Sequence, residues 1–189
     1  MSSRVRAEDL PFEVPRELNA AWNRHPEIVK LGDPVLRQVA KPVTHYRDDT
    51  ARLVERMKIV MRKASGLGLA APQVGVSTRI IVYDVGQGIQ VLVNPKILAG
   101  TGEQTEPAEG CLSIPGLQGE VARYAEVRIK AYNEHGKPVS RRAKEMEARV
   151  IQHEIDHLDG VLFYDRAKPE TLEWVLGHDG DDEDAALRE

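Results

Sequence analysis

The chain has 189 residues, 41% of them hydrophobic and 30% charged, the balance of a soluble globular protein with room for one domain and a core of its own. A formal net charge of −4 gives no overall attraction to nucleic acid, and no apolar run approaches the roughly twenty residues of a bilayer span. A single cysteine, Cys111, excludes internal disulfides, and the opening residues lack the apolar stretch of a secretory signal, so a cytoplasmic location is expected.

Residues 1–27 are polar, carry Pro11, Pro15 and Pro26 and lack clean periodicity. They read as an N-terminal extension wrapped on the surface, with partial helix near Glu17–Trp22. Apolar residues at Leu53, Val54, Met57, Val60, Met61 and Ala64 predict an amphipathic helix from Asp48 to Ser65, stopped by Gly66 and Gly68. The runs Arg79–Val85 and Ile89–Val93 predict strands on either side of a Gly86-Gln87-Gly88 turn. Val121 to Tyr132 alternates well enough for a long strand or hairpin arm, followed by a turn at Asn133–Gly136. A second helix is predicted from Met146 to Leu158, with Gly160 as its terminating glycine. The acidic run Asp179–Asp184 reads as a solvated tail. No internal repeat of solenoid or propeller period is present. Two substantial helices and many short strands predict an α+β domain with antiparallel sheets.

The second helix carries His153-Glu154-Ile155-Asp156-His157. At 3.6 residues per turn, His153 and His157 stack on one face and can reach one metal ion. Glu154 points about a quarter-turn away, where it can reach a water on that metal without ligating it. The pattern therefore names a cofactor and a reaction type together: metal-assisted attack by water.

A catalytic metal with two imidazoles needs a third protein ligand and an open position. A metzincin-like histidine six residues past His157 is excluded, because Phe163 stands there. A downstream glutamate, Glu170 or Glu173, would have to follow Pro169 closely in a short remaining chain. Cys111, in Glu109-Gly-Cys-Leu-Ser-Ile-Pro-Gly116, is the upstream candidate: a thiolate donates strongly to borderline metals, yet a lone thiol is as readily a buried structural residue. A third segment, Gly66-Leu-Gly-Leu-Ala-Ala-Pro-Gln73, is neither a P-loop nor a dinucleotide fingerprint. Its Gln73 offers a primary amide that can donate to an oxyanion without titrating.

Together these three segments resemble the peptide deformylase family in its bacterial form. That family carries Gly-x-Gly-Leu-Ala-Ala-x-Gln, Glu-Gly-Cys-Leu-Ser and Gln-His-Glu-x-Asp-His-Leu in this order, and here they stand at Gly66–Gln73, Glu109–Ser113 and Gln152–Leu158 without departure. The resemblance extends from about Ile28 to Tyr164. It sets a catalytic domain at residues 28–168, between the extension 1–27 and a C-terminal segment 169–189. It further implies that the antiparallel sheets pack around a central helix bearing the two histidines.

What the resemblance implies is a metal-dependent amide hydrolase that removes the formyl group from the N-terminal formylmethionine of newly synthesised polypeptides, releasing formate. One divalent ion per chain would be held by Cys111, His153 and His157, with Fe(II) expected and Zn(II), Ni(II) or Co(II) able to substitute. Metal-hydroxide attack would proceed with Glu154 as general base and then acid, and with Gln73 and the Leu112 backbone N–H as oxyanion donors. The Gly68 carbonyl would accept from the formamide N–H. Leu67, Ile114, Met146 and Val150 are candidates for the walls of a methionine slot, and Arg149 could line it with its stem while its guanidinium reaches solvent. The expected partners are the nascent formylated polypeptide and, transiently, the ribosome, with no specific nucleic acid and no membrane; a monomer is expected. The acidic tail argues against tight ribosome docking through residues 178–189. Two competing readings are a metallopeptidase of the His-Glu-x-x-His type, which lacks its usual third ligand here, and a binding module with a structural metal, which would want more cysteines.

Overall fold

A computed structural model describes residues 12–103 and 108–175. The acidic run 179–184, and with it the expectation about ribosome docking, lies outside the described residues, as do residues 1–11 of the extension. The remainder of the extension forms a 3-10 turn at Arg16–Leu18 that runs into a short helix, α1, Asn19–Arg24.

Helix α2, Asp48–Lys63, turns Val54, Met57, Val60 and Met61 inward, the i, i+3, i+6, i+7 spacing of one buried stripe. Asp48 and Asp49 begin it and Arg62 and Lys63 end it, each complementing the helix dipole. The expected glycine stop is placed differently. The helix ends at Lys63, and Ser65, not Gly66, takes the left-handed conformation at φ 50°, with the Gly66 N–H closing on the Met61 carbonyl at 3.0 Å.

A five-stranded antiparallel sheet follows the order β1-β2-β3-β6-β7, built from β1 (Gly68–Ala70), β2 (Ile80–Tyr83), β3 (Gln90–Thr101), β6 (Glu126–Tyr132) and β7 (Pro138–Lys144). A second, three-stranded sheet pairs β4 (Ala108–Cys111), β5 (Ile114–Glu120) and β8 (Glu173–Trp174). Strand β3 continues past its predicted end through a bulge at Asn94, a non-glycine residue at φ 51°. The Asn94 amide accepts from the Val43 N–H and donates to the Val43 carbonyl, both at 2.8 Å, so the side chain acts as a strand partner for Val43 and holds the bulge.

The long strand expected from Val121 begins only at Glu126. Between them the backbone leaves the ladder because its polar groups are claimed by a side chain: the Tyr124 N–H donates to Gln152 Oε1 at 3.0 Å and the Tyr124 carbonyl accepts from Gln152 Nε2 at 2.9 Å. Arg123 is drawn inward and is only 6% exposed.

Helix α3, Glu145–Leu158, is buried on nearly every side from Ala148 onward. Its apolar residues Ala148, Val150, Ile151, Ile155 and Leu158 join Tyr83, Leu92, Ile129 and Ala143 of the large sheet in one core cluster. Gly160 ends it as expected, at φ 74°, and an added Cβ there would lie 2.7 Å from the Arg37 carbonyl oxygen. A second cluster lies between α2 and strands β1 and β2. A third gathers Leu31, Leu36, Ile114, Leu117 and Phe163 under the small sheet. The architecture is α+β, with antiparallel sheets packed around the helix that carries both histidines.

Candidate active site

His153 and His157 project from the same face of α3, with ring centroids 5.1 Å apart. Cys111 ends β4, where the register shifts after Gly110 and a tight turn returns the chain into β5 at Ile114. The turn delivers Cys111 Sγ to 3.3 Å from His157 Nε2. One ligand atom from each of Cys111, His153 and His157 falls within 4.8 Å of the others, and this is the cluster of metal-ligating type among the described residues.

His153 and the nearby Gln73 are each oriented by a neighbour. The Glu109 carboxylate lies 2.9 Å from His153 Nδ1, which turns the other ring nitrogen toward the cluster. Gln73 sits in a 3-10 turn, Ala71–Val74, directly after β1. Its Oε1 accepts from the Ala70 N–H at 2.8 Å, so its amino group faces Cys111 Sγ at 3.6 Å and Ser113 Oγ at 3.3 Å. Leu112, in the turn after Cys111, lines the same cavity. Glu154 is 4% exposed, and its Oε2 has no hydrogen-bond partner among the described residues.

The electrostatics follow from this burial. Desolvation pushes the Glu154 carboxyl up to about 7, against the opposing charge of His153. Burial would also raise Glu109, but hydrogen bonds from Arg123 and His153 outweigh it and hold that carboxyl well below the usual range. His157 is held well below its ordinary value by burial and by the charges of His153 and Arg123. His153 is held well above its own, because contacts with Cys111 and Glu109 overcome desolvation.

A metal would suit this donor set. One sulfur and two imidazole nitrogens lie within 4.8 Å of one another, and the Glu109 carboxylate already orients one ring. One cavity of about 460 Å³ opens onto the cluster and is lined by Leu67, Gly68, Gln73, Cys111, His153 and Glu154. Met146 and Val150 line it as well.

Comparison with known proteins gives the family. The polypeptide deformylase family model matches residues 25–173. This chain belongs to the peptide deformylase family. It is 46% identical over 141 residues to the peptide deformylase of Carboxydothermus hydrogenoformans, an alignment spanning 75% of this chain and 92% of that one. To the Halothermothrix orenii enzyme it is 51% identical over 142 residues, covering 74% and 92%. Among solved structures, the Thermotoga maritima peptide deformylase superposes with a TM-score of 0.72 at 45% identity, over 75% of this chain and 97% of that one. A Synechococcus elongatus peptide deformylase in complex with actinonin gives 0.73 at 42%, over 77% and 83%. The chain is therefore an enzyme, a hydrolase of that family.

Against this deformylase site two expectations change. Ile114 does not line the cavity: it is fully buried in the third core cluster, because as the first residue of β5 it packs beneath the small sheet. Arg149 lines the cavity, but its guanidinium does not reach solvent. Arg149 is 3% exposed, and Nη1 donates to Glu109 Oε1 at 2.8 Å and to the Val121 carbonyl at 3.0 Å.

The sequence reading assigned no role to the buried ionic network behind the site. Arg123 donates to Glu109 through Nε and Nη2 at 2.9 and 2.8 Å and to Asp156 through Nη1 at 2.5 Å. Arg166 donates to both oxygens of Asp156 at 2.7 and 2.8 Å. Glu109 and Asp156 lie inside the recognised segments, a signal for them. Arg123 lies in a stretch with strand-like alternation, and nothing in its surroundings marks it.

Proposed function

We propose that this enzyme removes the formyl group from the N-terminal formylmethionine of newly synthesised polypeptides, with one divalent ion held by Cys111, His153 and His157. The observation that carries this is the gathering of those three ligand atoms near the buried Glu154, whose Oε2 has no partner among the described residues, at one cavity. Fe(II) is the proposed ion, with Zn(II), Ni(II) or Co(II) as substitutes. When bound, it would supply Lewis acidity to the formyl oxygen and to the attacking water.

The residues of the chain then do the rest. Glu154, poised near neutrality, takes the proton from the attacking water as oxygen bonds to the formyl carbon, and returns it to the amine nitrogen as the C–N bond breaks. Formate and a free N-terminal amine result. The Gln73 amino group and the Leu112 N–H donate to the substrate oxyanion; losing one such donor typically raises a barrier by about 3 kcal/mol. The Gly68 carbonyl accepts from the formamide N–H. Leu67, Met146 and Val150 wall the methionine slot, the first two half-exposed at its mouth. Rejection of acetyl in favour of formyl is steric, set by the space beside the ligand cluster.

The proposed partners are the emerging formylated chain and, transiently, the ribosome. A cytoplasmic monomer without specific nucleic-acid or membrane contacts is proposed; no helix among the described residues is long and apolar enough to cross a membrane. The test is anaerobic purification with metal analysis, followed by formate release from formyl-Met-Ala-Ser. One ion per chain and formate without internal cleavage are expected. Internal cleavage, or no formate from metal-loaded protein, overturns the reading.

A further inference from the structure

After α3 a 3-10 turn, Phe163–Asp165, brings the chain back against that helix and ends at Arg166. Two contacts tie this segment to the histidine-bearing face. The Phe163 ring stacks on His153, with centroids 6.3 Å and planes 21° apart. Arg166 clasps Asp156, donating from Nε to Oδ2 at 2.7 Å and from Nη2 to Oδ1 at 2.8 Å, so one planar fork occupies both carboxylate oxygens.

From Asp156 the hydrogen bonds continue inward. Arg123 Nη1 donates to Asp156 Oδ2 at 2.5 Å, while Nε and Nη2, the other edge of the same guanidinium, donate to the two oxygens of Glu109 at 2.9 and 2.8 Å. Glu109 Oε2 lies 2.9 Å from His153 Nδ1. One path therefore joins Arg166, Asp156, Arg123, Glu109 and His153. Side-chain exposure along it falls from 49% at Arg166 to 9% at Asp156 and 4% at Arg123. Arg166 does not line the active-site cavity; it borders a separate one, with Asp156 and Arg123.

Arg123 has to divide one guanidinium between two carboxylates. An Asp156 carboxylate held by Arg123 alone would be free to rotate and take a second N–H, and that N–H would come from Glu109. The Arg166 fork fixes the carboxylate plane, so Oδ2 meets Nη1 and the Nε–Nη2 edge stays with Glu109.

We propose that Arg166 is a positioning residue for His153: acting through Asp156 and Arg123, it keeps Glu109 aimed at the His153 ring and so sets how tightly the ligand cluster holds a divalent ion. This rests on the metal-dependent deformylase reading and deepens it.

The experiment titrates Co(II) into the metal-free full chain against a competing chelator and records the visible absorption of the bound Co(II). Wild type is compared with Arg166→Ala, Arg166→Lys and Asp165→Asn. Arg166→Ala is expected to bind Co(II) roughly three- to tenfold less tightly, a smaller loss than removal of a histidine's direct partner, and to shift the Co(II) bands. Its kcat for formate release should fall with KM unchanged, because Arg166 stands outside the cavity. Arg166→Lys keeps the charge without the fork and should bind Co(II) nearly as weakly as Arg166→Ala does. Asp165→Asn breaks the neighbouring ion pair with Arg37 in the same turn, and should lower the urea midpoint at wild-type Co(II) affinity. Wild-type affinity and spectrum in Arg166→Ala, or their full recovery in Arg166→Lys, overturn the positioning role and leave the deformylase reading intact. An equal loss of affinity in Asp165→Asn does the same, because it traces the effect to the turn rather than to the path. A wild-type chain that binds no Co(II) overturns both.

Discussion

Gly68 and Glu154 compete for one volume: a Cβ added to Gly68 would lie 2.9 Å from both Cγ and Cδ of Glu154, and nearer still to Oε1. Gly68 is not among the glycines with positive φ, so what this position requires is space rather than an unusual backbone. Strand β1 thus passes flush against the carboxyl that is proposed to move the proton. Gly68→Ala should push that carboxyl aside and lower kcat for formate release by roughly 10²-fold, within the usual contribution of a positioned acid or base. The overpacking should also cost about 1–3 kcal/mol of stability, read as a lower urea midpoint. A folded Gly68→Ala enzyme with wild-type kcat would show that the position of Glu154 is not set by this contact.

Glu109 carries charge for three groups: it takes hydrogen bonds from Arg123 and Arg149 and orients His153. Glu109→Gln removes the negative charge while both guanidinium groups stay buried. Loss of roughly 3–5 kcal/mol is expected, the usual consequence of breaking a buried pair on one side. Freed from its orienting carboxylate, His153 should also hold metal 10–100-fold less tightly, to the order of magnitude seen when such outer partners are lost. Denaturant unfolding reads the first effect and competition with a chelator the second. Unchanged metal affinity would reduce Glu109 to a purely structural role.

What the sequence made legible was the chemistry that repeats in short windows. The spacing of His153 and His157 put both rings on one helix face, and the apolar stripe of α2 placed Val54, Met57, Val60 and Met61 inward. What it could not show was long-range pairing. Strands β4 and β5 contain Gly110, Gly116 and Gly119 and owe their order to packing, as where Gly119 admits Leu172, so strand propensity did not reveal them. Alternation from Val121 onward looked like strand throughout, yet Gln152, a partner nearly thirty residues away, takes the backbone of Tyr124 out of the ladder. Ile114 was a candidate slot wall, yet where β5 begins it turns into the core instead.

Acid should weaken the fold in part through Asp165. Its carboxyl accepts from Arg37 Nη2 at 3.0 Å and from the Leu162 N–H at 2.8 Å, and Arg37 also lies 5.2 Å above the Tyr164 ring. Burial would raise this carboxyl, but those hydrogen bonds outweigh it and hold it below the ordinary value. A depressed carboxyl contributes stability above its unfolded pKa of about 3.9 and loses it as pH falls through the lower folded value. Asp165→Asn should therefore be less stable than wild type at pH 7, with the gap closing below about pH 4. Partial exposure of the pair keeps the effect modest. Urea unfolding of both proteins at pH 7 and pH 3 checks it; a gap that widens in acid would reverse the sign.

Metal removal should separate folding from chemistry. The buried members of the three core clusters include none of Cys111, His153 and His157, so the chelated protein should stay folded and unfold cooperatively. Restoring the ion at about a hundredfold over its dissociation constant should add about 2.7 kcal/mol, which for a chain of this size raises Tm by roughly 5–10 °C. Cys111→Ala removes the sulfur that closes the cluster and should abolish most of that shift, while the apo Tm falls only slightly, because Cys111 is partly buried at the edge of the third core cluster and loses a single atom there. Differential scanning calorimetry with and without chelator reads both proteins. An equal metal-induced shift in wild type and Cys111→Ala would exclude the sulfur as a ligand and leave the two imidazoles to find their third partner elsewhere.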